Sequence, residues 1–333
     1  MRPEFFKQRD TELALKPPRI ILAGGSGFLG QLLARRFVRQ NYEVTILSRT
    51  PQKKFQSGNV VSWDAQTIGE WWRELEGAAA VLNLSGRSVN CRYNERNRRL
   101  ILDSRVFSTR VLGEAIGRCA KPPRIWINAS TATIYKQSSD QPMDEGGEIG
   151  GTQEARDEFS VEVARAWERA FDDARTPETR KITLRLAMVF SAADGTVFQV
   201  LRRLARSGLG GSMAGGRQFA SWIHEEDFLR AIDWLIARED LSGPVNLTAP
   251  NPVSNREMMR VLRRECGAPF GLPAARWMME VGAFFLRTET ELMIKSRRVI
   301  PGRLVAAGFE FRFPQFEAAV REIESRVGAT DSA

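Results

Sequence analysis

The sequence predicts an α/β fold, a doubly wound parallel sheet followed by a smaller, mostly helical C-terminal region. Three observations predict it. From Arg19 onward, short runs rich in β-branched residues alternate with longer stretches of helical periodicity, the pattern of strand–helix–strand units on a parallel sheet. The first of these runs feeds straight into a glycine-rich turn at 24–30. After Phe190 the alternation fades, and Gly208, Gly210, Gly211, Gly215 and Gly216 mark a loop-rich stretch.

Taken in order, 19–23 reads as the first strand and 31–40 as its helix, with Leu32, Leu33 and Phe37 facing inward. The second and third strands are 43–47 and 60–63, followed by a helical segment at 68–76 and a fourth strand at 79–84. A long helix over 94–119 carries Leu100, Ile101, Val106, Val111 and Leu112 at helical spacing. Pro122-Pro123 ends that connection, and 124–129 is the fifth strand. A helix at 157–174 leads to a sixth strand at 182–190. Later come a helix at 225–238 and a strand at 244–247, and Ser254 with Glu257 has the spacing of a capping box. Residues 271–327 read as helices with a short Phe309, Phe311, Phe313 alternation. The expected division is a mobile N-terminal extension (1–18), a nucleotide-binding domain (19–190, with 223–250 returning to it), a smaller substrate and C-terminal region (191–222 and 251–327), and a tail (328–333).

Bulk properties narrow the classes. A chain of 333 residues holds one large or two ordinary domains and needs no staples. Cys91, Cys119 and Cys266 lie far apart with no C-x-x-C pair, and His224 is the single histidine, so neither a disulfide framework nor a metal site is expected. A reducing cytoplasm is the simplest setting. The N-terminal segment is charged throughout and lacks the apolar core of a signal peptide. The least polar run, 277–286, is about half the roughly 20 residues of a membrane span and contains Glu280, so it reads as a core helix. The net charge of +9 would suit nucleic acid or a membrane surface. Yet its arginines, such as Arg96, Arg98, Arg99, Arg202, Arg203 and Arg206, fall on helices without interleaved aromatics. Solvated helix faces explain them, and neither nucleic acid nor membrane is an expected partner.

The turn itself is Gly24-Gly25-Ser26-Gly27-Phe28-Leu29-Gly30, between a strand and a helix. Gly24 suits a tight turn, Gly27 lets the backbone approach a pyrophosphate, and Gly30 lets helix and strand pack closely. The helix N-terminus offers N–H groups and partial positive charge to phosphates. This is the arrangement of a Rossmann-type dinucleotide site. At the end of the second strand, an acidic residue would bind the NAD ribose and repel a 2′-phosphate. Ser48 and Arg49 stand there instead, with Lys53 and Lys54 close behind, which points to NADP(H).

With Ala23-Gly-Gly-Ser-Gly-Phe-Leu-Gly30, Asn83-Leu-Ser-Gly86 and Asp103-Ser-Arg105, the chain resembles the extended short-chain dehydrogenase/reductases. More narrowly it resembles their atypical, nucleoside-diphosphate-sugar epimerase-like (NAD-dependent epimerase/dehydratase-like) branch, which ends in a small C-terminal domain of unknown role. Ser221-Trp-Ile-His-Glu-Glu-Asp227, Gly243-Pro-Val-Asn-Leu-Thr-Ala-Pro-Asn-Pro252, and Arg298-Val-Ile-Pro301 with Ala307-Gly-Phe-Glu-Phe311 carry that narrower likeness. The resemblance implies that Leu84 and Ser85 lie against the adenosine, that Arg105 reaches toward the cofactor, and that Val189, ending the sixth strand, lies near the nicotinamide. Strand packing for Leu84 and Val189, and a surface ion pair for Arg105, are the alternative readings.

The usual chemistry of that superfamily is missing. Its members use a tyrosine with a lysine four residues on, one face of one helix. None of Tyr42, Tyr93 and Tyr135 has that lysine, and Phe159 and Val163 occupy the matching places. Ser130-Thr131-Ala132-Thr133-Ile134-Tyr135 resembles the S-S-A-T-V-Y segment of sugar-nucleotide epimerases, which puts Thr131 on the substrate-orienting hydroxyl with Ser130 beside it. A strand-end hydrogen-bonding cluster is the alternative for both. Tyr135 supplies a proton if its ring turns into the cleft, and otherwise packs under the loop. Arg217 and His224 are candidate substrate contacts, with a loop-lining arginine and a structural histidine at the start of a helix as alternatives. The expected function is an NADP(H)-binding oxidoreductase or epimerase-like protein, passing hydride to or from a small carbonyl or alcohol without the Tyr–Lys pair, as monomer or homodimer. A non-catalytic NADPH-binding regulator, and a basic protein of nucleic acid or membrane surfaces, are the other classes left open.

Overall fold

The computed structural model describes residues 17–50, 57–153, 155, 157–274 and 295–331. The expected N-terminal extension up to residue 16, Lys53 and Lys54, and the core helix at 277–286 lie outside the described residues. The strands are β1 (Arg19–Ala23), β2 (Glu43–Ser48), β3 (Asn59–Ser62), β4 (Ala80–Asn83), β5 (Ile125–Thr131), β6 (Arg180–Leu186), β7 (Met188–Phe190), β8 (Phe219–Ala220), β9 (Trp222–His224), β10 (Gly243–Leu247) and β11 (Val253–Ser254). The helices are α1 (Phe28–Arg39), α2 (Glu95–Gly117), α3 (Glu158–Asp172), α4 (Val197–Arg206), α5 (Glu225–Ala237), α6 (Asn255–Glu265), α7 (Gly302–Ala306) and α8 (Phe316–Asp331).

Seven strands form one sheet in the order β3-β2-β1-β4-β5-β6-β10, every neighbouring pair parallel. Parallel strands are covered on both faces, which is why they read as continuous apolar runs. The alternation along β1 sorts the two layers. Ile20 and Leu22 pack with Leu33 and Phe37 of α1 and with Phe228 and Ile232 of α5. Ile21 and Ala23 face Val111, Leu112 and Ala115 of α2 and Phe171 of α3. A separate apolar cluster joins α4, α6 and α8 through Phe198, Leu201, Met258, Met259, Phe316 and Val320, around Trp222 of β9. Among the described residues no helix is long and apolar enough to cross a membrane.

Several boundaries differ from the sequence expectation. Helix α1 starts at Phe28, three residues early, because Gly27 already takes the cap position and its carbonyl accepts from Gln31. The segment expected as a helix at 68–76 is a 3-10 helix over Glu70–Leu75. The run 182–190 is two strands. At Ala187 the chain bonds to Leu247, and from Met188 it leaves the large sheet to pair with β9. Both halves are largely buried and carry apolar residues, so periodicity does not reveal the break. Helix α4 carries Arg202, Arg203 and Arg206, which read as helical, and ends just before the glycine-marked stretch. Of the capping box only one arm forms: Ser254 accepts from the Glu257 N–H, while the Glu257 carboxylate turns to Arg260 at 2.9 and 2.6 Å.

Candidate cofactor and active site

Because β1 lies between β2 and β4, the chain leaving β1 turns one way and the chain leaving β4 the other. A crevice opens at this switch in strand order, at the carboxyl ends of the strands. The glycine turn lies on one side of it. Gly24 has φ +73°, and a Cβ there would stand 2.8 Å from the backbone of Leu84 and Ser85, so only glycine lets the two loops touch. A Cβ on Gly30 would overlap the backbone of Gly25. Gly30 therefore seats α1 on its own turn, a correction to its expected role against the strand. A Cβ on Gly27 would meet only the Gly24 carbonyl, at 3.5 Å, which leaves its outer side open. Helix α1 has no side-chain cap and no acidic residue in its first turn. Its first N–H groups have no intrahelical partner, and no carboxylate of that first turn competes for them.

The crevice holds a cavity of about 440 Å³. Gly24, Ser26 and Gly27 line it from the turn, Ser48 and Arg49 from β2, and Leu84 and Ser85 from β4. Phe28 and Leu29 stand behind them, half-buried against the core, with Gly25 and Gly30 forming the contact just described. The Ser85 hydroxyl is buried and has no hydrogen-bond partner among the described residues. Its N–H donates to Asn83 Oδ1 (3.1 Å), and the Asn83 amide is fixed by Thr109 and Asn128. Ser48 is buried and accepts from the Thr50 N–H (3.2 Å), while Arg49 is exposed at the mouth.

Sequence reasoning missed Trp63, Asp64 and Gln66 after β3, and Leu100, Asp103, Ser104 and Phe107 of α2, all of which line the same cavity. Two signals were available. The end of the third parallel strand borders this crevice, and positions 100, 103, 104 and 107 make one helix stripe. A larger hollow of about 750 Å³, lined by Tyr42, Ala79, Ile125 and Arg180, opens at the amino ends of the strands, away from the glycine turn.

Arg105 is not in the cavity wall. It sits behind Gly86, donates to the carbonyls of Arg87 (3.1 Å) and Ile101 (3.0 Å), and lies 5.1 Å over the Trp167 ring. Val189 is on β7, not at the end of the sixth strand, and is buried beside Ile223. The remaining candidates divide. Ser130 is buried and donates to Glu168 at 2.6 Å. The Thr131 hydroxyl accepts from the Thr133 N–H (3.1 Å) in a half-buried turn.

Tyr135 does not turn into the cleft. Its ring is 1% exposed, and its hydroxyl donates to Asn246 (2.8 Å) and accepts from Arg185 (2.8 Å). Burial pushes this phenol above its ordinary value, with Arg185 and Asn246 pulling the other way. Arg185 in turn grips Glu168 with two bonds of 2.9 and 2.8 Å.

His224 does not line the crevice either. It is buried, its Nδ1 accepts from the Glu226 N–H (3.0 Å) as the cap of α5, and its Nε2 lies 2.9 Å from Glu322. That cap fixes the tautomer as Nε2–H, the nitrogen facing the carboxylate. Arg217 is exposed in the turn after Gly216 and does not line the cavity. Among the described residues no group of three His, Cys, Asp or Glu could hold a metal.

Comparison with known proteins places the chain in a family. Residues 274–323 match DUF1731, a domain of unknown function. The epimerase family protein SDR39U1 of Bos taurus is 28% identical over 311 residues, 92% of this chain and 99% of that protein. The epimerase family protein YfhF of Bacillus subtilis (strain 168) is 28% identical over 307 residues, 91% and 97% of the two chains. The crystal structure of human SDR39U1 (isoform 2) with NADPH has a TM-score of 0.80 at 28% identity, covering 92% of this chain and 99% of that one. Residues 20–247, more than half of the sequence, match the family model of NAD dependent epimerases and dehydratases, and the chain belongs to the NAD dependent epimerase/dehydratase family.

Proposed function

We propose that this protein binds NADPH across the carboxyl ends of its strands and passes hydride between it and a small carbonyl or alcohol. One observation carries the reading: the buried, unpartnered Ser85 hydroxyl shares a cavity with the uncapped, acid-free start of α1 and with the exposed Arg49. The NADPH in the human SDR39U1 crystal structure supports the cofactor choice. In this reading the turn 24–30 receives the pyrophosphate, Leu84 and Ser85 take the adenosine and its ribose, and Ser48 and Arg49 take the 2′-phosphate. Arg105 holds the Gly86 backbone in place from behind, and Val189 backs the nicotinamide end. Thr131 orients the substrate oxygen, and Ser130 is held beneath it by Glu168. The bound nicotinamide supplies or accepts the hydride.

Fluorescence titration tests the cofactor assignment. Arg49→Ala should weaken NADPH binding by about 1.5–3 kcal/mol, roughly ten- to a hundredfold in Kd, and leave NADH binding unchanged. Equal losses for both cofactors would remove Arg49 from the 2′-phosphate. A second reading, an NADPH-binding regulator without turnover, draws on the internal commitment of the Ser130 and Tyr135 hydroxyls. Tight NADPH binding with no oxidation across a broad carbonyl panel would favour it.

A further inference from the structure

We propose that a second cavity, between α1, the start of α5 and the chain entering α8, binds a small phosphate-bearing anion. The proposal stands apart from the hydride-transfer reading above. The cavity measures about 240 Å³ and shares no wall residue with the cofactor crevice.

The charges of its wall decide what it can hold. Five guanidinium groups and three carboxylates reach it. The carboxylates are already matched. Arg36 of α1 lies 3.2 Å from Glu226 and 2.8 Å from Asp233, and Arg326 of α8 lies 2.5 Å from Glu225 and 3.0 Å from Glu322. Arg35 and Arg39 of α1 and Arg312 before α8 are left over, and among the described residues no carboxylate pairs with these three. His224 adds no charge in its capping role, because its Nδ1 accepts the Glu226 N–H.

Solvated helix faces do not account for this set. Arg35 is half-buried, and Arg312 lies outside any helix or strand. The backbone at Arg312 is fixed from below. Its N–H donates to one carboxylate oxygen of Asp227 and the Phe313 N–H to the other, both at 2.8 Å, and Asp227 is fully buried. Arg35 and Arg39 are four residues apart on α1 and so share one face of that helix. Leu32, Leu229 and Phe313 supply an apolar floor, with the Phe313 ring 4.0 Å from His224. A poorly polarisable floor beneath a surplus of one sign of charge focuses the field into the hollow.

Five positive groups against three negative ones leave two positive charges in the wall. A phosphate monoester carries about −1.5 to −2 at neutral pH and would neutralise them. The planar guanidinium fork also matches phosphate oxygens pairwise. A bound phosphate would therefore bridge α1 to the segment ahead of α8, the Rossmann sheet's own helix to the C-terminal region.

Phosphorus-31 NMR titration of the NADPH-saturated protein tests this, since the cofactor closes the crevice to competing phosphate. Inorganic phosphate and glycerol phosphate should each bind saturably, with Kd at or below about 1 mM. The tighter of the two tells whether free phosphate or a phosphorylated metabolite is the fitting source. Arg35→Gln and Arg312→Gln should each weaken binding roughly tenfold or more, and Arg312→Gln should keep the affinity for NADPH. Arg203→Gln, on α4 and outside this wall, should change nothing. Glu226→Gln removes a negative charge from the wall and should tighten binding about two- to fivefold. The proposal falls if neither phosphate binds saturably, or if NADPH displaces all of the bound phosphate. It falls also if Arg312→Gln behaves as Arg203→Gln does, or if a hexaglutamate peptide binds more tightly than both phosphates. If an arginine variant does not fold, Glu226→Gln decides: tighter binding supports the site and unchanged binding overturns it. Failure of the protein to bind NADPH would overturn the cofactor reading alone, and the Arg312 and Glu226 variants would still decide this one.

Discussion

His224 shows how much of a residue's role depends on what the fold packs around it. In the sequence it is a lone histidine ahead of three acids, a pattern open to a structural place at the start of a helix or to a substrate contact. In the fold its ring lies 4.0 Å from Phe313, with Glu322, Glu225, Glu226 and Arg326 around it. Burial lowers its pKa below 6.5, against the opposing pull of Glu322. The folded state thus binds fewer protons here than the unfolded chain, and stability rises with pH in this window. His224 contributes fully above the ordinary histidine value of about 6.5 and loses that contribution as pH falls below it. His224→Asn keeps a capping side chain without a titrating ring. Urea denaturation of the two proteins between about pH 5 and 7 should give a shallower pH slope for the variant. Parallel slopes would mean that His224 does not titrate on unfolding.

Local backbone demands make the start of α1 legible, since a strand, three spaced glycines and a helix lie within one short segment. Its energetics can be tested at Gly30, where an added methyl group meets the Gly25 backbone rather than a yielding side chain. Gly30→Ala should cost about 1–3 kcal/mol in denaturant unfolding and weaken NADPH binding, because α1 must shift off the turn. Unchanged stability would show that the helix has room. Other elements are less readable for physical reasons. The step from β6 to β7 is set by two partners far along the chain, Leu247 and Ser221. Helix α4 has an amphipathic pattern with Phe198, Leu201 and Ala205 buried, so its arginines read as helical, whereas its bounds are not marked by any capping side chain.

Across the whole molecule, one polar row ties the two halves of the chain. Ser130, Arg185 and Asn246 are register neighbours on β5, β6 and β10, and Glu168 of α3 and Tyr135 close the network around them. Arg185 and Glu168 are 6% and 12% exposed, so removing one charge strands the other in a poorly solvated place. Glu168→Gln should therefore cost about 3–5 kcal/mol, read as a lower denaturant midpoint. A loss below about 1 kcal/mol would mark the pair as no more than a surface ion pair. The same contrast explains which parts of the site the sequence disclosed. The glycine turn depends on neighbours in sequence, whereas the locking of Tyr135 by Asn246 depends on a residue 111 positions away.

The late position of β10 also governs the order of events during synthesis. The nucleotide turn and its first strands emerge early from the ribosome, but β6 acquires its outer neighbour only when residues 243–247 arrive. Until then the nascent chain carries an open, apolar edge at Ile182 and Leu184, a template for pairing with other chains. Non-local parallel pairing is slow to form. Translation beyond residue 190 is thus more than the addition of a second region, because it shields the first from aggregation.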